Sequence, residues 1–138
     1  MRVRVAAVLA ASLLARAAGA QTPAEPACVP ATEVAVRHLA GLWRARFEGA
    51  TGTATLLLEP HSERADALRG AILRDGQRAW VAAEIEDGEF SLEESVNGIN
   101  ITAVWMGDVL EGSCGREIRG SWKADGDARQ VQFVLRKE

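Results

Sequence analysis

Few side chains in this sequence are placed to do chemistry, and most of those that stand out are carboxylates. Glu84, Glu86, Asp87, Glu89, Glu93 and Glu94 crowd into eleven positions, a density that would suit a calcium site or an acid–base pair if the spacing agreed. Calcium loops present their ligands at fixed offsets along one loop. Here strand alternation sends Glu89 and Glu93 to an outer face and puts Asp87 in a turn, so a solvated hairpin is the simpler expectation. Glu94 differs from its neighbours. It falls in phase with Phe90 and Leu92 and is expected to point inward, toward the same end as Phe47 and Trp122, which are in phase with their own strands' interiors. A carboxylate among aromatics can orient a small ligand, and Phe47, Glu94 and Trp122 are the predicted ligand-binding residues.

The remaining reactive residue types are sparse. His38 and His61 lack metal spacing, no serine sits in a nucleophile elbow, and no Gly-rich phosphate loop leads from a strand into a helix. No catalytic residue, metal or cofactor is therefore expected, and the chain reads as non-enzymatic. Cys28 and Cys114 are the only cysteines. Their pairing depends on the compartment, which the first residues address.

Met1-Arg2-Val3-Arg4 is a short basic stretch, Val5 to Leu14 is apolar, and Ala18-Gly19-Ala20 is the small-x-small pattern that signal peptidase reads. Residues 1–20 are a predicted signal peptide, cleaved before Gln21. The apolar run is far short of the ~20 residues that span a bilayer, so no membrane insertion is expected after processing. The predicted location is the periplasm or the extracellular medium, where disulfides persist, and the two cysteines are expected to pair. Processing removes Arg2, Arg4 and Arg16 and leaves 13 basic against 19 acidic residues. That balance argues against nucleic acid, which is bound chiefly through Lys and Arg.

Residues 21–40 read as a Pro-rich leader, with Pro23, Pro26 and Pro30, followed by one short helix over Ala31 to Ala40. Thr32 is a candidate cap, and Gly41 the stop. Residues 41–138 then change to a period of two, with turn signals every eight to twelve positions. Alternating inward sets are Trp43, Ala45, Phe47; Ala54, Leu56, Leu58; Leu68, Gly70, Ile72; Ala79, Val81, Ala83, Ile85; Phe90, Leu92, Glu94; Ile99, Ile101, Ala103, Trp105; Ile118, Gly120, Trp122; and Val131, Phe133, Leu135. Asp75-Gly76, Asp87-Gly88 and Asn97-Gly98 read as two-residue hairpin turns. Eight strands so joined leave no room for parallel crossovers. The predicted fold is an all-β, eight-stranded antiparallel up-and-down barrel, which leaves no free edge, with a flattened β-sandwich as the alternative.

Leu39-Ala40-Gly41-Leu42-Trp43, a short helix running into Gly-x-Trp at the first strand, resembles the opening of calycin-type barrels. The likeness is to lipocalins and to the small bacterial barrels that inhibit secreted metalloproteases. It implies that Gly41 and Trp43 form a structural motif at the closed end, with a basic residue near the end of the last strand, Arg136 or Lys137, lying across the tryptophan. The sequence departs from those families in having no tyrosine and in a Cys28–Cys114 link that is not a short-range bridge.

These features predict an exported binding protein that holds a small apolar ligand in or at the mouth of the barrel. The small interior residues Ala54, Gly70, Ala79, Ala83, Ala103 and Gly120 leave open whether a cavity exists or a narrow barrel closes fully. The alternative is a protein-binding module such as a periplasmic protease inhibitor, motivated by the Pro-rich leader next to Gly-x-Trp. Trp80 is expected to face out from the barrel wall, where a large aromatic can anchor a protein partner, although an isolated surface apolar residue needs no such explanation. A structural or accessory envelope protein is the third reading.

Overall fold

The computed structural model describes residues 17–20 and 27–138. Most of the predicted signal peptide, residues 1–16, and the leader residues 21–26 lie outside the described residues. Among those described, no helix is long and apolar enough to cross a membrane.

Two short turns precede the sheet. A 3-10 turn spans Ala31–Glu33, and a single α-helical turn, α1, spans Val36–Leu39. The single helix predicted over Ala31 to Ala40 is thus broken at Val34 and Ala35, which are extended. Val34 turns its side chain into the core, where it is buried; a continuous helix would not aim both Val34 and Leu39 there. Thr32 does not cap α1. The backbone N–H of Ala35 instead donates to His38 Nδ1 at 2.9 Å, so the histidine tethers the first turn of its own helix.

The eight strands are β1 (Gly41–Phe47), β2 (Thr53–Pro60), β3 (Ala67–Arg74), β4 (Gln77–Glu86), β5 (Glu89–Ser95), β6 (Ala103–Val109), β7 (Glu117–Ala124) and β8 (Val131–Lys137). Each pairs antiparallel with its sequence neighbours, and β1 closes on β8, from Trp43 opposite Lys137 to Phe47 opposite Phe133. The architecture is a closed up-and-down barrel, consistent with a calycin-like fold, and the sandwich alternative is set aside. Asp75 and Asp87 take φ of 51° and 50°, each followed by a glycine at positive φ, the pair of left-handed residues that a type I′ hairpin demands.

The third expected tight turn is not one. β6 begins at Ala103 rather than at Ile99, and Ile99 and Ile101 are exposed. The side chain of Asn97 is the reason: its Oδ1 accepts from the backbone N–H groups of Ile99 and Asn100, both at 2.9 Å. This local capture competes with a strand ladder, and pairing resumes only after Thr102 N–H donates to Glu94 O.

The interior is filled by the protein's own side chains. Trp43, Trp105, Phe90, Leu56, Leu68, Leu92, Ile118 and Leu135 are fully buried, with Phe133 beside them. Trp105 packs edge-on against Phe133, with ring centroids 4.7 Å apart. The small interior residues serve close packing. A Cβ on Gly120 would lie 2.0 Å from Met106 O, so only glycine lets β6 and β7 approach as they do.

Candidate functional site

The two ends of the barrel are closed by different means. At the end where β1 starts, residues 28–35 and α1 lie across the opening. Gly41 takes φ of +132°, a conformation open essentially to glycine, and so turns the chain from α1 into β1. This places Trp43 beneath the helix, where its indole N–H donates to Leu39 O at 2.8 Å. Lys137, in phase with Phe133 and Leu135, reaches over the same point and donates from Nζ to His38 O at 2.7 Å. Arg136 does not take that place. It alternates to the outer face, is exposed, and pairs with Glu117 at 2.6 Å, so the basic residue of the closed end is Lys137. The Cys28–Cys114 disulfide ties the leader to the β6–β7 loop at this end, and Glu111 accepts from Ala31 N–H at 3.0 Å. His38 has its pKa lowered, first by burial and then by Arg37 and Lys137 nearby. Burial likewise lowers Lys137.

At the opposite mouth the structure brings Phe47, Glu94 and Trp122 together, from the ends of β1, β5 and β7. Glu94 is 2 % exposed. Its Oε1 accepts from the indole N–H of Trp105 at 2.7 Å and of Trp122 at 3.2 Å. Its Oε2 accepts from Arg74 Nη2 at 2.8 Å. The Arg74 guanidinium lies between two rings, 5.4 Å from the centroid of Phe47 and 5.2 Å from that of Trp122, in reach of cation–π attraction with both. Burying this ion pair is costly unless its remaining hydrogen-bonding groups are met, and the two indoles meet those of the carboxylate. Arg74 is the site residue that the sequence analysis omitted. The signal was present, because extending Leu68, Gly70, Ile72 by one more step of two arrives at Arg74.

Glu94 is therefore already engaged by the protein's own side chains. Arg74 divides the mouth into two recesses. One, of about 200 Å³, has a floor of Ile72, Ala79, Ala103 and Trp122 and a rim that includes Arg78 and Thr102. The other, of about 370 Å³, lies against the β1–β2 turn beside Phe47.

The outer wall carries a third feature. Leu42 pairs with Leu57, Leu57 with Ala71 and Ala71 with Trp80, a row of apolar side chains running across four strands on the solvent side. Trp80 is 51 % exposed, Leu42, Leu57 and Leu73 are exposed too, and Val96 and Ile99 continue the surface from the β5–β6 loop. Arg78 stacks on Trp80, 4.2 Å from the ring centroid. The wall across β4 to β6 is of opposite character. Glu86, Glu89 and Asp108 are successive cross-strand neighbours, and with Glu84 they line an open concavity of about 680 Å³. Among the described residues no group of three His, Cys, Asp or Glu side chains is arranged to hold a metal ion. The sequence Asn100-Ile101-Thr102, which fits a glycosylation sequon, lies between β5 and β6, where Asn100 is exposed. No protein-family model matches this chain, and no curated protein matches it.

Proposed function

We propose that the protein is an exported, non-enzymatic binding module that recognises a protein partner through the outer wall around Trp80. The observation that carries this reading is the cross-strand row Leu42, Leu57, Ala71 and Trp80, exposed except for the half-buried Ala71, on a barrel whose interior is occupied by its own aromatic core. A ligand inside the barrel would have to displace side chains such as Trp105 and Phe133. Contiguous apolar patches on a soluble surface mark interaction sites more often than isolated apolar residues do, and a tryptophan is a frequent anchor of binding energy.

The chemistry of the partner follows from the rim. Arg69 and Arg78 flank the row and form no ion pair among the described residues. The acidic wall over β4 to β6 repels a negatively charged partner and so directs it to the Arg-bearing side. The partner is accordingly a protein surface with apolar side chains flanked by carboxylates. It docks through side chains and not by adding a strand, because the closed sheet has no free edge. The disulfide fits an oxidising compartment; with residues 1–20 acting as a signal peptide removed before Gln21, that compartment is the periplasm or the extracellular medium.

Photo-cross-linkers placed in turn at positions 80, 57 and 86 of the exported protein test this reading. Adducts to one protein are expected from positions 80 and 57 and not from 86, and Trp80→Ala should weaken that complex about 30-fold or more while the variant stays folded. Adducts equally abundant on both walls, or confined to a second copy of this chain, would overturn it. Intact mass of the exported protein should place the mature N-terminus at Gln21.

A further inference from the structure

Residues 28–33 form a strap that belongs to none of the strands. It crosses the end of the barrel that α1 covers by passing close over two glycines. A Cβ on Gly88, in the β4–β5 turn, would lie 3.1 Å from Ala31 O, and one on Gly115, in the β6–β7 loop, 3.4 Å from Val29 Cγ1. Val29 and Ala31 are partly buried against the core. Apart from the cysteines, the strap's hydrogen bond to the barrel among the described residues is a single exposed one, Ala31 N–H to Glu111 Oε2 at 3.0 Å. The disulfide is therefore what holds the far end of the strap, and both of its half-cystines are exposed. The barrel and α1 do not share this dependence. The eight strands pair with one another, and α1 is held by the buried Leu39, by the Trp43 indole on Leu39 O and by Lys137 on His38 O.

We infer that the Cys28–Cys114 link is a redox latch: a protein dithiol opens it, and residues 28–33 leave the end of the barrel while the closed sheet and α1 stay in place. Exposure selects this bond for exchange, because a thiolate must reach a sulfur and exposed disulfides are more readily reduced than buried structural ones. The first thiolate of the dithiol attacks Sγ of one half-cystine, and the other half-cystine leaves as a thiolate. The second thiol of the reductant then gives up its proton and displaces the mixed disulfide. Two electrons pass from the dithiol, which becomes a disulfide, and its two protons end on the thiols of Cys28 and Cys114. Without the link, one exposed hydrogen bond and a few small apolar contacts oppose the conformational freedom that the strap regains. Val34 is buried and is the hinge at which release stops.

Dithiothreitol added to the folded, oxidised protein without denaturant tests this, with amide and indole N–H resonances as the readout. Reduction should run to completion. The amide signals of Ala31 and Glu33 are expected to move to the shifts of an unstructured chain. Those of Ala45 and Leu135, on the closing ladder, and the Trp43 indole signal should keep their positions. Glu111→Ala supplies a second measurement, at equilibrium with a glutathione buffer of fixed composition. The contact it removes is made in the oxidised form and lost in the reduced one, so the ratio of reduced to oxidised protein should rise about threefold. Resistance to dithiothreitol until denaturant is added, strap signals unmoved by reduction, loss of the Ala45 and Leu135 signals together with the strap's, or a ratio unchanged by Glu111→Ala would each overturn the inference.

Discussion

The two ends of this barrel meet the same requirement, to keep water from a narrow apolar interior, with different interactions. The end beneath α1 is sealed by a covalent link, an apolar helix face and hydrogen bonds to backbone carbonyls from Trp43 and Lys137. The mouth is sealed by a buried ion pair, Arg74–Glu94, held between aromatic rings. A seal built on chain connectivity constrains the unfolded chain, whereas one built on a buried ion pair acts only when all its partners are present. In the first kind the covalent link carries most of the constraint. The second leaves a charged group beside two open recesses.

Removing the link at the sealed end should have the largest effect. Replacing Cys28 and Cys114 together by serine opens a loop with a sequence separation of 86. The chain-entropy model puts the loss near 4 to 5 kcal/mol, an upper figure. Urea unfolding with and without reductant measures it, and a loss below about 1 kcal/mol would show that the noncovalent contacts of the leader suffice. At the mouth, Glu94→Ala should cost about 1 to 3 kcal/mol, because it leaves the buried Trp105 indole N–H without an acceptor and the part-exposed Arg74 without its partner. Glu94→Ala combined with Arg74→Leu should recover much of that loss; if the double variant is no better than the single one, the mouth is not the coupled unit described. The smallest effect concerns His38. Its pKa is lowered in the folded protein, so folding favours the neutral ring. The associated stability is complete above the unfolded value near 6.5 and is lost as pH falls from there through the lowered folded value. Protonation puts a hydrogen on the Nδ1 that accepts from Ala35. The fall in Tm between pH 7.5 and 5 should therefore shrink in His38→Gln, and an unchanged slope would remove His38 from the seal.

Much of this was legible in the sequence wherever strand alternation governs. Glu94 inward and Trp80 outward both follow from a period of two, and so does closure into a barrel from eight strands joined by short connections. Alternation also distinguishes Lys137 from Arg136, once the last strand's phase is counted from Phe133 and Leu135 and not from nearness to the chain's end. What was not legible depends on single side chains overriding the pattern. Asn97 captures two backbone N–H groups and delays β6 by four residues, and Val34 turns into the core and splits the predicted helix. Arg74 was hidden by its charge, since an arginine at an inward position is expected only where a buried partner waits, and that partner lies 20 residues further along. Whether the small interior residues left a cavity was also beyond alternation alone, because it depends on how closely β6 and β7 approach at Gly120.

The closing ladder between β1 and β8 has a kinetic consequence. Ala45 and Leu135 sit opposite one another although 90 positions separate them, so this ladder gains nothing until the strands between them have zipped from hairpin to hairpin. Such long-range closure is slow and tends to come late. Cys28 and Cys114 lie close before β1 and β7 respectively, so early oxidation shortens the search that this last ladder must make, and the order of oxidation and closure governs how long an open sheet with two exposed edges persists during folding.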